Sequence, residues 1–215
     1  MFEPHELPNK NKCVHVVMLD GYQPEMCKLT IPNLMDFASR IKADFNLITK
    51  PKFKGYPPNY ERLQIYEAGI DYFWNINIDA DTILHPDFED PTIRLDPRSV
   101  ASLYGIDLTY YFKWNKYFEK DGRGRGIADQ FVISSWLTHD LWMPLDVPFD
   151  EARKLCLRNE RQVSEYCLSL NMCKYGYKLD SVTLDLNKHY SIMCTDRKII
   201  NPEILIRNKL NEWIS

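Results

Sequence analysis

What this sequence lacks narrows it first. No run approaches the roughly 18 apolar residues of a membrane-spanning helix. The polar start "MFEPHELPNKNK" has no apolar core of a secretion signal. None of the six cysteines (Cys13, Cys27, Cys156, Cys167, Cys173, Cys194) forms a C-x-x-C pair, and no N-x-[ST] glycosylation site occurs. A cytoplasmic chain with free thiols and no membrane span is expected. Charge is not concentrated either: 27 lysines and arginines are spread along the chain against 30 acids, for a net charge of −3. Nucleic acid is therefore not expected as a partner, because phosphate binding needs a concentrated basic face. There is no internal repeat, low-complexity segment or composition break.

What is present is a core. The 215 residues are 45% hydrophobic and 13% aromatic, enough for one full domain and too few for two comfortable ones. "CVHVVML" (Cys13 to Leu19) reads as a strand ending at the turn "DGY". From Thr30, "TIPNLMDFASRIKA" puts Ile31, Leu34, Met35, Ala38 and Ile41 on one helical face, with Thr30 as N-cap and Pro32 in the first turn. "FNLIT" (Phe45 to Thr49) is a second strand, "KPKFKGYPPN" a loop, "YERLQIYEAG" a short helix closed by Gly69, and "YFWNINI" a third strand. That alternation predicts an α/β fold with a central parallel sheet, in which ligands bind beyond the carboxyl ends of the strands. Further on, "LTYYFKWNKYFEK" is expected to be helical, "GRGRG" (Gly122 to Gly126) a flexible basic loop, and "QFVISSW" a strand. "ERQVSEYCLSLNMCKYGYKL" is expected to be a helix ending at Gly176, and "SVTLDL" a last strand.

The third strand runs into "DAD". Asp79 and Asp81 at this spacing repel one another, and bringing them together costs free energy unless a cation or donors compensate. In a strictly alternating strand both would point the same way, and paired hard oxygen ligands suit Mg²⁺ or Mn²⁺. The competing reading is two solvated turn aspartates.

"YERLQIYEAGIDYFWNINIDADTIL" resembles the helix, strand and D-x-D segment of GT-A glycosyltransferases, which use nucleotide-sugar donors: a basic residue (Arg62), an aromatic one helical turn on (Tyr66), a hydrophobic strand, then Asp79 and Asp81. The resemblance reaches more loosely to "ADQFVIS" and "EYCLSLNMCKYGYKL". The small size is also similar to that of the N-terminal glycosyltransferase domain of a large chlorella-virus protein. It implies one Rossmann-like GT-A domain, mostly parallel and flanked by helices: residues 1–84 form a nucleotide-binding half and 85–215 an acceptor- and sugar-side half. If the viral likeness holds, the domain is a module of a longer viral chain acting in the host cytoplasm.

The resemblance implies roles for residues. Asp81 would ligate Mn²⁺ (or Mg²⁺), Asp79 the ribose or the ion, and His189 in "LNKHYS" would be a third metal ligand. Arg62 would reach the phosphates or base, and Leu19, Asp20, Gly21 and Tyr22 would border the base. Asp129 in "IADQF" and Glu165 in "VSEYC" are the candidate catalytic acids. Each has a plainer reading, as a turn, a solvated helix charge or a loop carboxylate. The "GRGRG" loop is either a lid over bound donor or an exposed connector, and Trp114, Trp136 and Trp142 are either sugar-stacking rings or core. The implied reaction moves a hexose or deoxyhexose, glucose or rhamnose, from a UDP-sugar to a glycan acceptor. Two rivals remain open: a HAD-like phosphatase using the same aspartate pair, with Thr82 one position early, and a non-catalytic nucleotide- or carbohydrate-binding module.

Overall fold

The computed structural model describes residues 7–181, 188–191 and 201–214. Strand β1 (Lys10–Val17) leads through helix α1 (Pro24–Arg40) to β2 (Asp44–Ile48). A 3₁₀ segment (Pro58–Gln64) and the short α2 (Ile65–Ala68) return the chain to β3 (Tyr72–Ile78). Then come β4 (Thr82–Leu84), β5 (Ser99–Ser102), β6 (Gly105–Asp107), α3 (Leu108–Tyr111), α4 (Lys116–Asp121), β7 (Arg125–Ile127) and β8 (Phe131–Ser135). The last elements are α5 (Phe149–Arg153), α6 (Val163–Tyr175), β9 (Lys178–Ser181), β10 (His189–Ser191) and α7 (Pro202–Ile214).

Six strands form the central sheet in the order β2-β1-β3-β8-β5-β9. β1 lies parallel between β2 and β3, β9 is parallel to β5, and β8 enters antiparallel between β3 and β5. The sheet is thus mostly parallel, as the strand–helix alternation predicts. Successive side chains on a strand face opposite ways, and β3 uses this to separate two environments. Trp74, Ile76 and Ile78 join Val14, Val16, Leu34, Phe37 and Ala38 in the core under α1. Asn75 and Asn77 face the other side, where Leu63, Val132, Trp142, Tyr166 and Met172 form the second core.

Several local expectations change. Helix α1 starts at Pro24, six residues before Thr30, because Pro24 and Glu25 suit a first turn and Met26 and Cys27 extend the buried stripe. Thr30 is therefore interior, with its hydroxyl donating to the Ala80 carbonyl at 2.6 Å. Pro32 also lies inside the helix, and Met35 is exposed while Phe37 is buried. Gly69 does close α2, but at φ −97°. Glycine is needed there for space, since a Cβ would stand 2.3 Å from Asn75 Oδ1.

"LTYYFKWNKYFEK" is two helices rather than one. Asp107 and Asn115 each cap a separate N-terminus, and Phe112 between them pairs as a β-bridge with Cys156. "GRGRG" is not a free loop: Gly122 caps α4 at φ 72°, and Arg125–Ile127 pairs with β6. Arg123 is bonded to Asp121 and to the Tyr177 carbonyl. A Cβ on Gly126 would lie 2.4 Å from Ser169 Oγ, so that end of the segment is packed down, while Gly122, Gly124 and Arg125 are exposed. Of "SVTLDL", Ser181 ends β9 and residues 182–186 lie outside the described residues. Among the described residues no helix is long and apolar enough to cross a membrane.

Candidate active site

β1 and β3 deliver their carboxyl ends to one rim. His15 pairs beside Asn77 in parallel register, so Val17 comes level with Asp79 two residues on. The strand stops at Ile78, however. The Thr82 amide donates to the Asp79 carbonyl at 3.1 Å, so "DAD" is a turn and not the alternating strand the spacing suggested. The Asp79 amide donates to the Gln130 carbonyl at 3.0 Å, fixing the turn against the segment before β8.

Arg62 organises the charges around that turn. Its side chain is 3% exposed, held by Nε donating to the Asn59 carbonyl at 2.7 Å. One terminal nitrogen meets Asp79 Oδ1 at 3.0 Å, and the other bonds the Asp129 carbonyl and lies 3.4 Å from Asp129 Oδ2. Glu165, in the first turn of α6, is close enough to feel Arg62, Asp129 and Asp79. One guanidinium thus faces three carboxylates, with Asp81 beyond.

The imbalance appears in the acidities. Burial pushes Asp79 up to about 8, with Arg62 opposing and Asp81 and Asp129 reinforcing. Glu165 also rises to about 8, from burial and the Asp129 charge, against the pull of Arg62 and the Asp129 amide. The two candidate acids differ in how they are held. Asp129 Oδ2 accepts from Asn59 at 3.2 Å and from the Ser164 hydroxyl as well as facing Arg62. Glu165 is partly exposed, and burial with the Asp129 charge raises its pKa toward the range in which a carboxyl exchanges a proton near neutral pH.

Asp81 is 1% exposed and accepts from the Ser191 hydroxyl at 3.3 Å. The Cys27 thiol feels its charge and donates to the Tyr22 carbonyl, which ties the Leu19–Tyr22 turn to the aspartate pair. That turn closes by the Tyr22 amide donating to the Leu19 carbonyl, with Gly21 at φ 83°. Asp20 and Tyr22 are exposed at the rim. His189, on the same face of β10 as Ser191, is 8% exposed with its ring 6.0 Å from that of Phe131. Burial lowers it to about 4, so it is a neutral imidazole. Among the described residues no three His, Cys, Asp or Glu side chains are grouped so as to hold a metal ion.

The donor set fits a hard divalent cation nonetheless. Asp79 and Asp81 flank one turn, Asp81 buried and Asp79 partly so, and beside them the buried Thr82 hydroxyl has no partner among the described residues. Such a site leaves room for substrate phosphates and water to complete the shell, as Mg²⁺ and Mn²⁺ commonly require.

The sequence reading missed Asn59, Asn77, Gln130 and Ser164. Asn77 Nδ2 donates to the Asp129 carbonyl at 3.0 Å, and Tyr104 donates to Gln130 Oε1 at 3.0 Å. One signal was available: Asn75 and Asn77 are amides at alternate positions of an otherwise apolar strand. Of the three tryptophans singled out, Trp136 and Trp142 are core at 9% and 0% exposure, while Trp114 is 40% exposed.

No protein-family model matches this sequence, and no curated protein does. Solved structures do. A glycosyltransferase that takes part in glycosylating the major capsid of chlorella virus PBCV-1 superposes with a TM-score of 0.55 at 8% identity, over 91% of this chain and 99% of that one. The galactosyltransferase LgtC, solved with donor and acceptor sugar analogues, matches at TM-score 0.48 and 14% identity, over 93% and 83% of the two chains. A mutant Drosophila β-1,4-galactosyltransferase 7 with manganese, UDP-Gal and xylobiose matches at 0.46 and 12%, over 92% and 79%. On that superposition this chain has the fold of the GT-A glycosyltransferases.

Proposed function

We propose that this chain is a divalent-metal-dependent glycosyltransferase, moving a hexose or deoxyhexose from a UDP-sugar to a glycan acceptor. The observation that carries it is the charge cluster at the carboxyl ends of β1 and β3, where Arg62 joins Asp79 to Asp129 beside Glu165 and Asp81. A nucleoside diphosphate leaving group develops negative charge as the sugar departs, and a bound Mn²⁺ or Mg²⁺ would offset it.

In this reading Asp81 and Asp79 hold the ion, with His189 the imidazole that joins when the shell is complete. Arg62 fixes Asp79, and the Leu19–Tyr22 turn borders the base. Asp129 is committed to Arg62, Asn59 and Ser164 and so positions the site. Glu165, partly exposed and with its pKa raised, is the acid that exchanges a proton at the sugar. UDP rather than another nucleotide follows the resemblance to the family.

The test is thermal unfolding with UDP, GDP or buffer, each with Mn²⁺ or EDTA, on wild type and Asp81→Asn. A nucleotide at 100 times its dissociation constant adds about 2.7 kcal/mol, roughly 5–11 °C for a domain this size. A shift with UDP and Mn²⁺ that vanishes in EDTA and in Asp81→Asn is expected. A shift with GDP alone moves the donor class, and no shift with any nucleotide removes the proposal.

A further inference from the structure

Immediately after the aspartate pair, β4 pairs antiparallel with β10: Thr82 with Ser191, Ile83 with Tyr190 and Leu84 with His189. The His85 amide adds one more rung by donating to the Lys188 carbonyl at 2.9 Å. Side chains alternate across such a ribbon, and directly opposed residues share a face. His189, Ser191 and Thr82 therefore lie on one face, where the Ser191 hydroxyl bonds Asp81 at 3.3 Å. Tyr190, Ile83 and His85 lie on the other.

The two strands are held in different ways. β4 is fixed by α1: the Leu84 amide donates to Asn33 Oδ1 at 2.7 Å, and Asn33 Nδ2 donates to the Leu84 carbonyl at 3.0 Å. Arg40, at the end of α1, donates to the His85 carbonyl at 3.3 Å. The outer face of the ribbon meets α7 instead. Leu205, Ile206, Lys209, Leu210 and Trp213 form one stripe of that helix, and Ile206 is buried in the first core. The Trp213 ring meets that of His85 edge-on, centres 5.3 Å apart. Lys209 Nζ donates to Glu212 at 2.7 Å and lies 5.5 Å from the centre of the Trp213 ring and 5.9 Å from that of Tyr190. α7 thus touches both strands, on the face opposite the one that bonds Asp81.

We propose that α7 is a clamp on β10, and that Trp213 and Lys209 are positioning residues of the metal site. They hold His85 and Tyr190 from outside, so that Ser191 and His189 stay in register beside Asp81. β4 keeps its two bonds to Asn33 whether or not α7 is docked, so the loss of α7 contacts falls on β10. Groups that orient a ligand set in this way change metal affinity without touching the ion. The link to the ion rests on the glycosyl-transfer reading, and the hold on β10 does not.

Amide hydrogen exchange and Mn²⁺ titration in the presence of UDP test it, on wild type, Trp213→Ala, Trp213→Phe and Lys209→Met. Exchange at residues 189–191 is expected to be at least about tenfold faster in Trp213→Ala, with β1 and β3 unchanged and 82–84 changed less. Mn²⁺ should bind about tenfold more weakly to Trp213→Ala, the low end for groups that orient a metal's ligands. Trp213→Phe keeps a ring against His85 and should restore both readings. If Trp213→Ala loosens the whole sheet, Lys209→Met, which removes the charge and keeps the stem, decides by the same two readings. Unchanged exchange at 189–191, or faster exchange there with Mn²⁺ affinity unchanged, overturns the clamp. Faster exchange at 189–191 in a chain whose wild type takes up no Mn²⁺ keeps the hold on β10 and overturns the metal reading instead.

Discussion

Two buried polar clusters lie on the same side of the sheet, on neighbouring positions of β3. In one, His15 Nε2 bonds Asn75 Oδ1 at 2.9 Å, His15 Nδ1 bonds Asn46 at 3.0 Å, and Asn75 donates to the Gly69 carbonyl at 3.1 Å. Every group is neutral and satisfied, because burial holds His15 down to about 4. In the other, starting at Asn77, one arginine is shared among carboxylates that outnumber it. The first cluster needs nothing more to be stable. The second keeps an excess of negative charge that a cation or a protonation must offset.

The largest effect expected is that of removing the shared cation. Arg62→Ala leaves Asp79, Asp129 and Glu165 facing one another and should cost about 3–5 kcal/mol in urea unfolding. A loss under about 1 kcal/mol would mean that the carboxylates are already neutral or hydrated, and the contrast between the clusters would collapse. His15→Ala should cost about 2–4 kcal/mol through the lost ring and the stranded amides of Asn46 and Asn75. It should leave the UDP–Mn²⁺ melting shift intact; loss of that shift would join the two clusters into one.

Asp79→Asn should do the opposite of His15→Ala. Apo stability is expected to stay within about 1 kcal/mol of wild type or to rise, since a desolvated like charge is removed, while the nucleotide shift disappears. His189→Ala should weaken Mn²⁺ binding less than Asp81→Asn does, measured by Mn²⁺ titration, because a neutral imidazole offers the ion less charge than a carboxylate.

The smallest effects are in pH dependence, where the clusters have opposite signs. Asp79 and Glu165 have folded values raised from 3.8 and 4.5 to about 8, so over that window the folded chain holds protons that the unfolded chain has released. Their contribution is complete at low pH and is lost as pH rises through 8. His15 is lowered from 6.5 to about 4, so its contribution is present above 6.5 and is lost as pH falls through 4. Melting temperature against pH should fall on both flanks, and Asp79→Asn should flatten the basic one. Mn²⁺–UDP binding should strengthen from pH 6 to about 8.5, because the ion displaces those protons.

How much was legible can be argued from particular residues. β3 and its D-x-D were plain, because an apolar run ending in two aspartates is a local pattern. The start of α1 was misplaced because Thr30 looks like a cap in sequence, and only its contact with the Ala80 carbonyl shows it to be interior. The long helix expected at residues 108–120 fails because Phe112 pairs with Cys156, more than forty residues away, a contact no local window contains.

The sequence by itself determined the alternation of strands and helices, the buried third strand and the paired acids, since each depends on spacing along the chain. Tertiary structure decided which charges meet. Arg62, Asp79, Asp129 and Glu165 span more than a hundred positions, and register and packing bring them together. Packing also decided which tryptophan stays exposed, because burial is set by what the rest of the chain places on top of a side chain.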